Sequence, residues 1–483
     1  MGSDDLRTLW ESAGGQAPDH WKFHKIEDLL KNSKSISVGV MYPGQNSPGG
    51  IPLIRVTDVK SGSIFSKPTF CISPEVDEEY KRTRLNGTEL LITLVGNPGD
   101  CVVASTTMAG WNAARALAVV RLADTNLRHW LRYILLSAPA KHLIDVRLNT
   151  TVQKTLNLKD IRLLGIPIPP KNERDAISSF ISALDDKIEL NRRMNETLEG
   201  LAQALFKSWF VDFDPVIDNA LAAGNPIPDE LEERAEVRRQ ALADGSANRE
   251  AARAFPAGFQ FTEEMGWVPE GWGVEPMREH LYATKGLSYK GSGLSDQGIP
   301  LHNLNSVYEG GGYKYEGIKY YSGDFKGRNL IAPGEVVVAN TEQGHDRLLL
   351  GFAAIVPKCF GSSGLYSHHL YKLSPAAHSP LSNHYIVSLL NTSLYHQIVS
   401  GYGNGTTVNM LPIDALQMPL ICIPPVEVIQ SFDSLAVPMA DRKESLIEES
   451  NILTNLRDTL LPKLISGELR IPEAEKLAEE ALA

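Results

Sequence analysis

The sequence predicts an α+β protein: two mixed α/β domains separated by a long antiparallel two-helix coiled coil, with an internal pseudo-two-fold repeat. Three patterns in the 483 residues predict this fold. Short segments recur in the same order in both halves, short apolar runs follow glycine-containing turns, and a heptad pattern follows Pro170. The length alone favours about three domains at ~150 residues each.

The repeat is supported by a set of short matching segments. They follow the same order in both halves and are separated by nearly the same number of residues. The matched segments are Gly50–Leu53 with Gly298–Leu301, Thr150–Gln153 with Thr406–Asn409, and Ile168–Pro170 with Ile423–Pro425. Each half therefore predicts one globular domain followed by one long helix.

The elements follow in chain order. We expect an N-terminal segment (1–19), a first globular domain (20–170), a central coiled-coil helix (171–211), a charged linker (212–270), a second globular domain (271–425), a C-terminal coiled-coil helix (426–470) and a tail (471–483). Within the domains, residues 90–95 and 335–339 predict strands, and residues 130–137 and 383–390 predict helices. The linker is rich in alanine and charged residues, which is typical of a solvated helical segment.

The heptad pattern predicts that the two long helices pack against each other. Seam positions alternate spacings of four and three in the central helix, and the C-terminal helix offers a less regular partner. The seam residues are Ile177, Ile181, Leu184, Ile188, Asn191, Asn195, Leu198 and Leu205 in the first helix and Leu446, Leu453, Leu456 and Leu460 in the second. An apolar stripe on a helix usually indicates only that the helix packs against the core of its own domain. A 40-residue helix, however, spans ~60 Å, which is too long for one small globule to cover. We expect Pro438 to start or kink the second helix.

Charge is distributed unevenly along the chain. The net charge is −11, yet residues 20–170 hold 19 basic and 12 acidic residues, a net +7. A basic domain is compatible with phosphate contact, and ordinary surface charge explains it equally well.

Catalytic patterns are missing from the sequence. It contains neither a Gly-x4-Gly-Lys-Ser/Thr loop nor a Gly-x-Gly-x-x-Gly turn that opens a helix after a strand. Three segments contain residue types found in catalytic or metal sites, but each has a simpler explanation. Asn97–Asp100 is better explained as a turn, Glu79–Lys81 as a charged surface, and the adjacent His368 and His369 as surface or core residues. We therefore expect no catalytic, cofactor-binding or metal-binding residue. No apolar stretch of ~20 residues predicts a membrane span, and four scattered cysteines fit a reducing cytoplasm.

Four segments resemble the specificity subunit of type I restriction–modification enzymes. Ile166–Pro170 resembles the entry to that family's central helix, and Trp209–Val216 resembles the end of the same helix. Phe255–Trp272 is similar to the lead-in to the second domain, and Arg457–Leu469 is similar to the C-terminal signature. The resemblance covers essentially the whole chain.

The resemblance implies that residues 20–170 and 271–425 are two target recognition domains, each reading one half of a bipartite, asymmetric DNA sequence. The paired helices would act as a spacer and dock two modification subunits, which methylate adenine. Restriction subunits, which translocate and cleave DNA, would join that core. S-adenosylmethionine, ATP and Mg²⁺ would be bound by these partners, and this chain would catalyse nothing itself.

Candidate DNA contacts are polar or basic residues near glycine- and proline-rich loops, because Arg, Lys, Asn and Gln read base edges. The candidates are Gln45, Asn46, Arg55, Asn97, Thr151, Gln153 and Lys154 in the first domain and Asn303, Asn305, Gln343, His345, Arg347, Asn404, Thr407 and Asn409 in the second. An ordinary polar loop remains the alternative for each residue. For the whole chain, the alternative is a pseudo-symmetric coiled-coil adaptor between proteins without DNA binding.

Overall fold

The computed structural model describes residues 3–59, 62–64, 67–148, 154–343, 346–405 and 408–482. The chain divides into two compact units, residues 1–190 with 449–483 and residues 191–448. Both contain helices and mainly antiparallel sheets, which confirms the predicted α+β class. Within the described ranges, no helix combines the length and apolar character needed to cross a membrane.

The first unit contains small sheets surrounded by helices. Its helices are Ser3–Ser12, Ile26–Leu29, Pro74–Glu79, Leu127–Leu136, Ala138–Asp145, Leu158–Arg162 and Ile471–Leu482, with parts of two long helices described below. Its sheets, in strand order, are Lys22–Lys25 with Gly165–Ile168; Ile36–Val38, Leu117–Val120, Leu90–Thr93 and Cys101–Val103; and Cys71–Ile72, Ile51–Ile54 and Asn112–Ala113.

The four-stranded sheet is covered on both faces, which explains why its central strands are continuously apolar. Leu90 and Ile92 belong to the large core that includes the helices, whereas Leu91 and Val119 belong to a smaller core. Successive side chains of a strand point to opposite faces, so a strand buried on both faces needs an apolar residue at every position.

The second unit repeats this plan with longer loops. Its shorter helices are Asp214–Ala223, Glu232–Ala243, Asn383–Leu390 and Ser393–Gly401. Its sheets, in strand order, are Phe259–Thr262 with Gly266–Pro269; Gly273–Pro276 with Leu420–Ile423; Leu281–Lys285, Leu370–Pro375, Val336–Ala339 and Ala353–Ile355; Leu294–Ser295, Lys319–Tyr321, Ile299–His302, Gly364–Tyr366 and Leu330–Ile331; and Thr341–Gln343 with Val408–Met410.

The two units share one strand order. In each four-stranded sheet, the first strand in sequence pairs with the last, the last with the second, and the second with the third. In the three-stranded sheet of the first unit and the five-stranded sheet of the second, one strand pairs antiparallel on one side and parallel on the other; these strands are Ile51–Ile54 and Ile299–His302. Both strands begin within the sequence-matched segments, so the repeat visible in sequence is also a repeat of topology.

Two helices are much longer than the rest, Lys171–Phe210 and Val426–Ser466. Each begins directly after a Pro-Pro pair, where the absent proline N–H groups cost little because the first turn leaves N–H groups unpaired anyway. The second helix does not start at Pro438, as one alternative of our prediction had it. It begins upstream, because burial of Phe432 and Leu446 on either side offsets the hydrogen bond that the proline removes.

Each unit holds one portion of both long helices. In the first unit, Ile177, Ile181 and Leu184 share a core with Leu453 and Leu460. In the second unit, the rings of Phe206 and Phe432 lie 5.7 Å apart, and Lys443 Nζ lies 2.9 Å from Glu199 Oε2. In the first unit Asp185 pairs with Arg457 and Lys187 with Glu449, so an advance along one helix is a retreat along the other, as it is in the second unit; within each unit the two portions run antiparallel.

The segment expected to be a solvated linker is partly buried in the second unit. Asp214 and Asp218 each accept two hydrogen bonds, from Arg234 and Arg238 respectively, at 2.6–2.8 Å. These ion pairs therefore hold helix Asp214–Ala223 against helix Glu232–Ala243. Val216 enters the same core as Phe206, because one face of the first helix is apolar.

Candidate nucleic-acid interface

Two arginines lie at one edge of the small sheet in the first unit. Because strands Ile51–Ile54 and Asn112–Ala113 are parallel, their carboxyl ends meet at the same edge. Arg55 follows the first strand and packs its guanidinium 5.3 Å from the Phe70 ring centroid. Arg115 lies just beyond the second strand and is exposed. The edge thus carries two guanidinium groups; Arg115 is exposed, whereas Arg55 is half-buried with its Nε 3.8 Å from Asp58 Oδ2.

A polar loop leaves the same edge at Gly39. A Cβ atom at Gly39 would lie 2.0 Å from the carbonyl oxygen of Ala113, so only glycine fits beside that strand. The loop exposes 75% of Tyr42 and also exposes Gln45 and Asn46. The Asn46 side-chain oxygen accepts a hydrogen bond from the Cys71 backbone at 2.9 Å, which fixes this part of the loop.

The predicted Asn97 turn lies beside this edge. A Cβ atom at Gly96 would contact Val56, the residue after Arg55, at 3.6 Å. Asn97 is exposed, and its carbonyl accepts a hydrogen bond from the Thr93 hydroxyl. The backbone N–H of Leu156 donates to the Leu94 carbonyl at 2.9 Å, which brings residues 154–156 to the turn. Lys154 is exposed there, whereas Thr151 and Gln153 lie outside the described residues.

The second unit joins the corresponding segments in the same way. The backbone N–H of Leu411 donates to the Asn340 carbonyl at 2.8 Å, and strand Thr341–Gln343 pairs with Val408–Met410. Gln343 lies opposite Val408, Asn404 is exposed, and Asn409 is buried opposite Glu342. His345 and Thr407 lie outside the described residues.

Two of the candidate DNA contacts, Asn303 and Arg347, make hydrogen bonds to the backbone of their own domain. Asn303 is 4% exposed, and its amide donates to the carbonyls of Leu301 and Gly317 while its oxygen accepts from the Asn305 backbone. Arg347 donates to the carbonyls of Ser400 and Gly403, both at 3.1 Å. These hydrogen bonds hold loops in place and occupy the groups that would read a base. Asn305 remains exposed beside Asn303.

A cluster of His368, His369, Lys285 and Lys319 in the second unit was missed by sequence reasoning. Burial and then the charges of His368, Lys285 and Lys319 lower the pKa of His369, whose Nδ1 lies 2.8 Å from the Thr341 hydroxyl. His368 follows the parallel strand pair Ile299–His302 and Gly364–Tyr366 by two residues, as Arg115 follows its own pair. The position of His368, two residues after the strand that corresponds to Asn112–Ala113, could have identified it from the sequence.

A basic hollow adjoins this cluster. It has a volume of about 710 Å³ and is lined by Lys285, Lys326 and Arg328, with Phe325 40% exposed beside them. Cations next to an exposed ring suit nucleic acid, because phosphates take the charges and bases stack on rings. Among the described residues, no group of three or more His, Cys, Asp and Glu side chains could hold a metal ion.

The seam residues occupy the interior of the helix pair to different degrees. Buried members are Ile177, Ile181, Leu184, Asn191, Leu446, Leu453 and Leu460, and half-buried members are Ile188, Asn195, Leu198, Leu205 and Leu456. Asn195 Oδ1 is buried, and the described part of the chain offers it no hydrogen-bond donor. A polar atom left in this state makes the seam selective about what packs there.

Comparisons with known proteins agree on one family. Residues 18–200 match the type I restriction modification DNA specificity domain. The type I restriction enzyme MjaIX specificity subunit of Methanocaldococcus jannaschii is 26% identical over 325 residues, 66% of this chain and 63% of that protein. The HindI specificity subunit of Haemophilus influenzae is 27% identical over 363 residues, 68% of this chain and 74% of that protein. The alignment thus spans less than two thirds of the M. jannaschii relative.

One solved structure shares the fold. The S subunit of a type I restriction–modification system from M. genitalium superposes with a TM-score of 0.54 at 14% identity, covering 92% of this chain and 96% of that chain. Residues 18–200 therefore carry a domain that matches the type I restriction modification DNA specificity domain, and the chain shares its fold with a type I S subunit.

Proposed function

We propose that this chain is the DNA sequence-recognition subunit of a type I restriction–modification complex. The observation that carries the proposal is the repeated sheet edge, where basic and polar side chains lie beside the ends of the parallel strands in both units. Arg55 and Arg115 mark the edge in the first unit, and His368 and Lys285 mark it in the second. Proteins bind duplex DNA through such cations and read it through side chains beside them.

The two edges carry different residues and would therefore read different half-sites. Arginine suits guanine, to which its guanidinium donates two hydrogen bonds, whereas asparagine and glutamine suit adenine. The first unit offers Arg55, Arg115, Gln45 and Asn97, and the second offers Asn305, Lys326 and Arg328. The target is accordingly a bipartite, asymmetric sequence.

The long helices would set the distance between half-sites and dock the partners. A helix of 40 residues measures ~60 Å, enough to bridge half-sites about one DNA turn (~34 Å) or more apart. Outside the seam, the central helix exposes Leu190, Met194 and Leu201 at spacings of four and seven residues. Such a stripe suits a partner helix, which supports docking of two modification subunits, with restriction subunits joining them.

The modification and restriction subunits would carry out the catalytic reactions of the complex. S-adenosylmethionine, ATP and Mg²⁺ would bind to the modification and restriction subunits, and this chain would be non-catalytic. Because the proposed binding partner of this chain is DNA and its four cysteines are free, the complex is proposed to act in the cytoplasm.

The test replaces the two edge arginines in the assembled complex. Arg55→Ala with Arg115→Ala should weaken binding to the target at least tenfold, since a good base contact contributes about 1–3 kcal/mol. Each lost phosphate contact should reduce the salt slope of binding by about one. Lys22→Ala, at an exposed lysine outside this edge, is the matched control. Unchanged binding and methylation would contradict the proposal, and a full complex without DNA selectivity would favour the adaptor alternative.

A further inference from the structure

The second unit contains a cavity that DNA recognition does not use. Its volume is about 770 Å³, and it lies between the globular part of that unit and its portions of the two long helices. Phe206, Phe210 and Tyr385 form an aromatic wall, and Val211 and Leu394 are exposed large apolar residues among its lining. Cavities of this size and character typically hold small molecules.

The repeat identifies the corresponding place in the first unit. Trp130 donates from its indole N–H to the Pro167 carbonyl at 2.9 Å, and Tyr385 donates from its hydroxyl to the Cys422 carbonyl at 3.1 Å. Donors and acceptors both differ by 255 residues. The same offset relates Lys171 and Val426, where the long helices begin. The offset of 255 residues therefore shows which residues of the first unit correspond to the residues that line the cavity.

A polar network fills the corresponding place. Asp185 accepts from Arg132 at 2.5 Å, from Arg457 at 2.9 Å and from the Tyr133 hydroxyl at 3.0 Å. At the offset of 255, Arg132, Tyr133 and Asp185 correspond to Val387, Ser388 and Ala440, and Arg457 corresponds to Ala202. All four smaller residues line the cavity. The second unit thus lacks the four large side chains that occupy this space in the first.

Most charges that remain around the cavity are already ion-paired, and Glu444 Oε1 accepts hydrogen bonds from the backbone N–H groups of Lys358 and Cys359. Lys443 lies 2.9 Å from Glu199, Lys358 lies 2.6 Å from Asp441, and Lys207 binds Asp212. Burial lowers the pKa of His384, so its ring is neutral at pH 7. An ion entering here would lose its hydration, and every charge of the lining except that of Glu444 is already ion-paired, whereas a planar ring would pack edge-to-face against the aromatic wall.

We propose that this cavity is a binding site for a small, uncharged aromatic molecule. The ligand occupies the space that Arg132, Tyr133, Asp185 and Arg457 fill in the first unit. Ser388 and His384 are positioned in the lining to bind one polar group of the ligand. This inference does not depend on the proposed DNA recognition.

The experiment uses the full chain and N-phenyl-1-naphthylamine, a neutral dye that fluoresces in apolar surroundings. The wild-type chain should bind it saturably at one site, and the dye should raise the melting temperature. Ala202→Phe should weaken dye binding at least tenfold, whereas Ala204→Phe, at an exposed position of the same helix, should leave it unchanged. A second variant, Val387→Arg, Ser388→Tyr, Ala440→Asp and Ala202→Arg together, rebuilds the network of the first unit and should also abolish binding.

Three results would overturn the assignment. The wild-type chain could show only non-saturable fluorescence, or Ala202→Phe could bind as tightly as Ala204→Phe. The assembled complex with modification subunits could also exclude the dye, which would identify the occupant as a segment of a partner protein.

Discussion

At the scale of single residues, Asp185 joins a helix of the first globular region to both long helices. It accepts hydrogen bonds from Arg132, Tyr133 and Arg457, and its side chain is 17% exposed. Burial by itself raises the pKa of Asp185, but attraction to Arg132 and hydrogen bonds from Arg132 and Arg457 outweigh it, so the pKa is lowered overall. The carboxylate is therefore charged in the folded protein at neutral pH.

We predict that Asp185→Asn destabilises the first unit and removes part of its acid sensitivity. Loss of one partner leaves two guanidinium groups poorly paired, a change that typically costs about 3–5 kcal/mol. A carboxyl group with a lowered pKa stabilises the fold above its unfolded pKa of about 3.9 and loses that contribution as pH falls through the folded value. Thermal melts at pH 7 and pH 3 should show a smaller difference for the variant than for the wild type.

Asp186→Asn is the control, because Asp186 is the exposed neighbour on the same helix. It should melt as the wild type does at both pH values. Equal melting of Asp185→Asn and Asp186→Asn at pH 7 would show that the network does not stabilise the unit.

At the scale of elements, the long helices combine an apolar seam with polar positions at Asn191 and Asn195. Asn191 is 1% exposed and Asn195 is half-buried, so amides lie where the flanking seam positions carry leucine or isoleucine. Polar seam residues cost stability and restrict which register is allowed. Helix length and phase should therefore be separable by deletion.

We predict that deleting Asn191–Thr197 shortens the preferred spacer between half-sites without changing either half-site sequence. Seven residues preserve the heptad phase and remove ~10 Å of helix. Genome-wide mapping of methylated sites measures the spacer. Deletion of five residues, Asn191–Asn195, is the control, because at ~100° per residue it turns the seam roughly 140° away from its partner and should reduce methylation altogether. New half-site sequences at the old spacer would count against the helix as a ruler.

At the scale of the whole molecule, the chain consists of two related halves that each combine a globule with a helix. The first helix is covered in its own unit by residues from the far end of the chain, since Ile177, Ile181 and Leu184 share a core with Leu453 and Leu460. Neither half can bury its helix with its own residues alone.

We predict that a fragment ending at Gly224 forms an antiparallel dimer. Removing the second helix exposes seam side chains whose burial is worth ~1.5–3 kcal/mol each, and a second copy offers the same stripe through a two-fold contact. Light scattering should give twice the monomer mass. With modification subunits, the fragment should direct methylation to an inverted repeat of the first half-site. A soluble monomer, or methylation at the original asymmetric site, would refute this prediction.

Local patterns in the sequence determined the α+β class, the internal repeat, the two long helices and a few of the shorter helices and strands. The helix expected at residues 383–390 is Asn383–Leu390, and the strand expected at 90–95 is Leu90–Thr93. These elements were predictable because periodicity, glycine and proline act over a few residues. The tertiary structure alone decided which polar side chains remain available, that Pro438 lies inside a helix, and that the second unit has a cavity where the first has a network. Asn303 and Arg347 are occupied by carbonyls that approach only when the chain folds, and a sequence pattern does not record such neighbours.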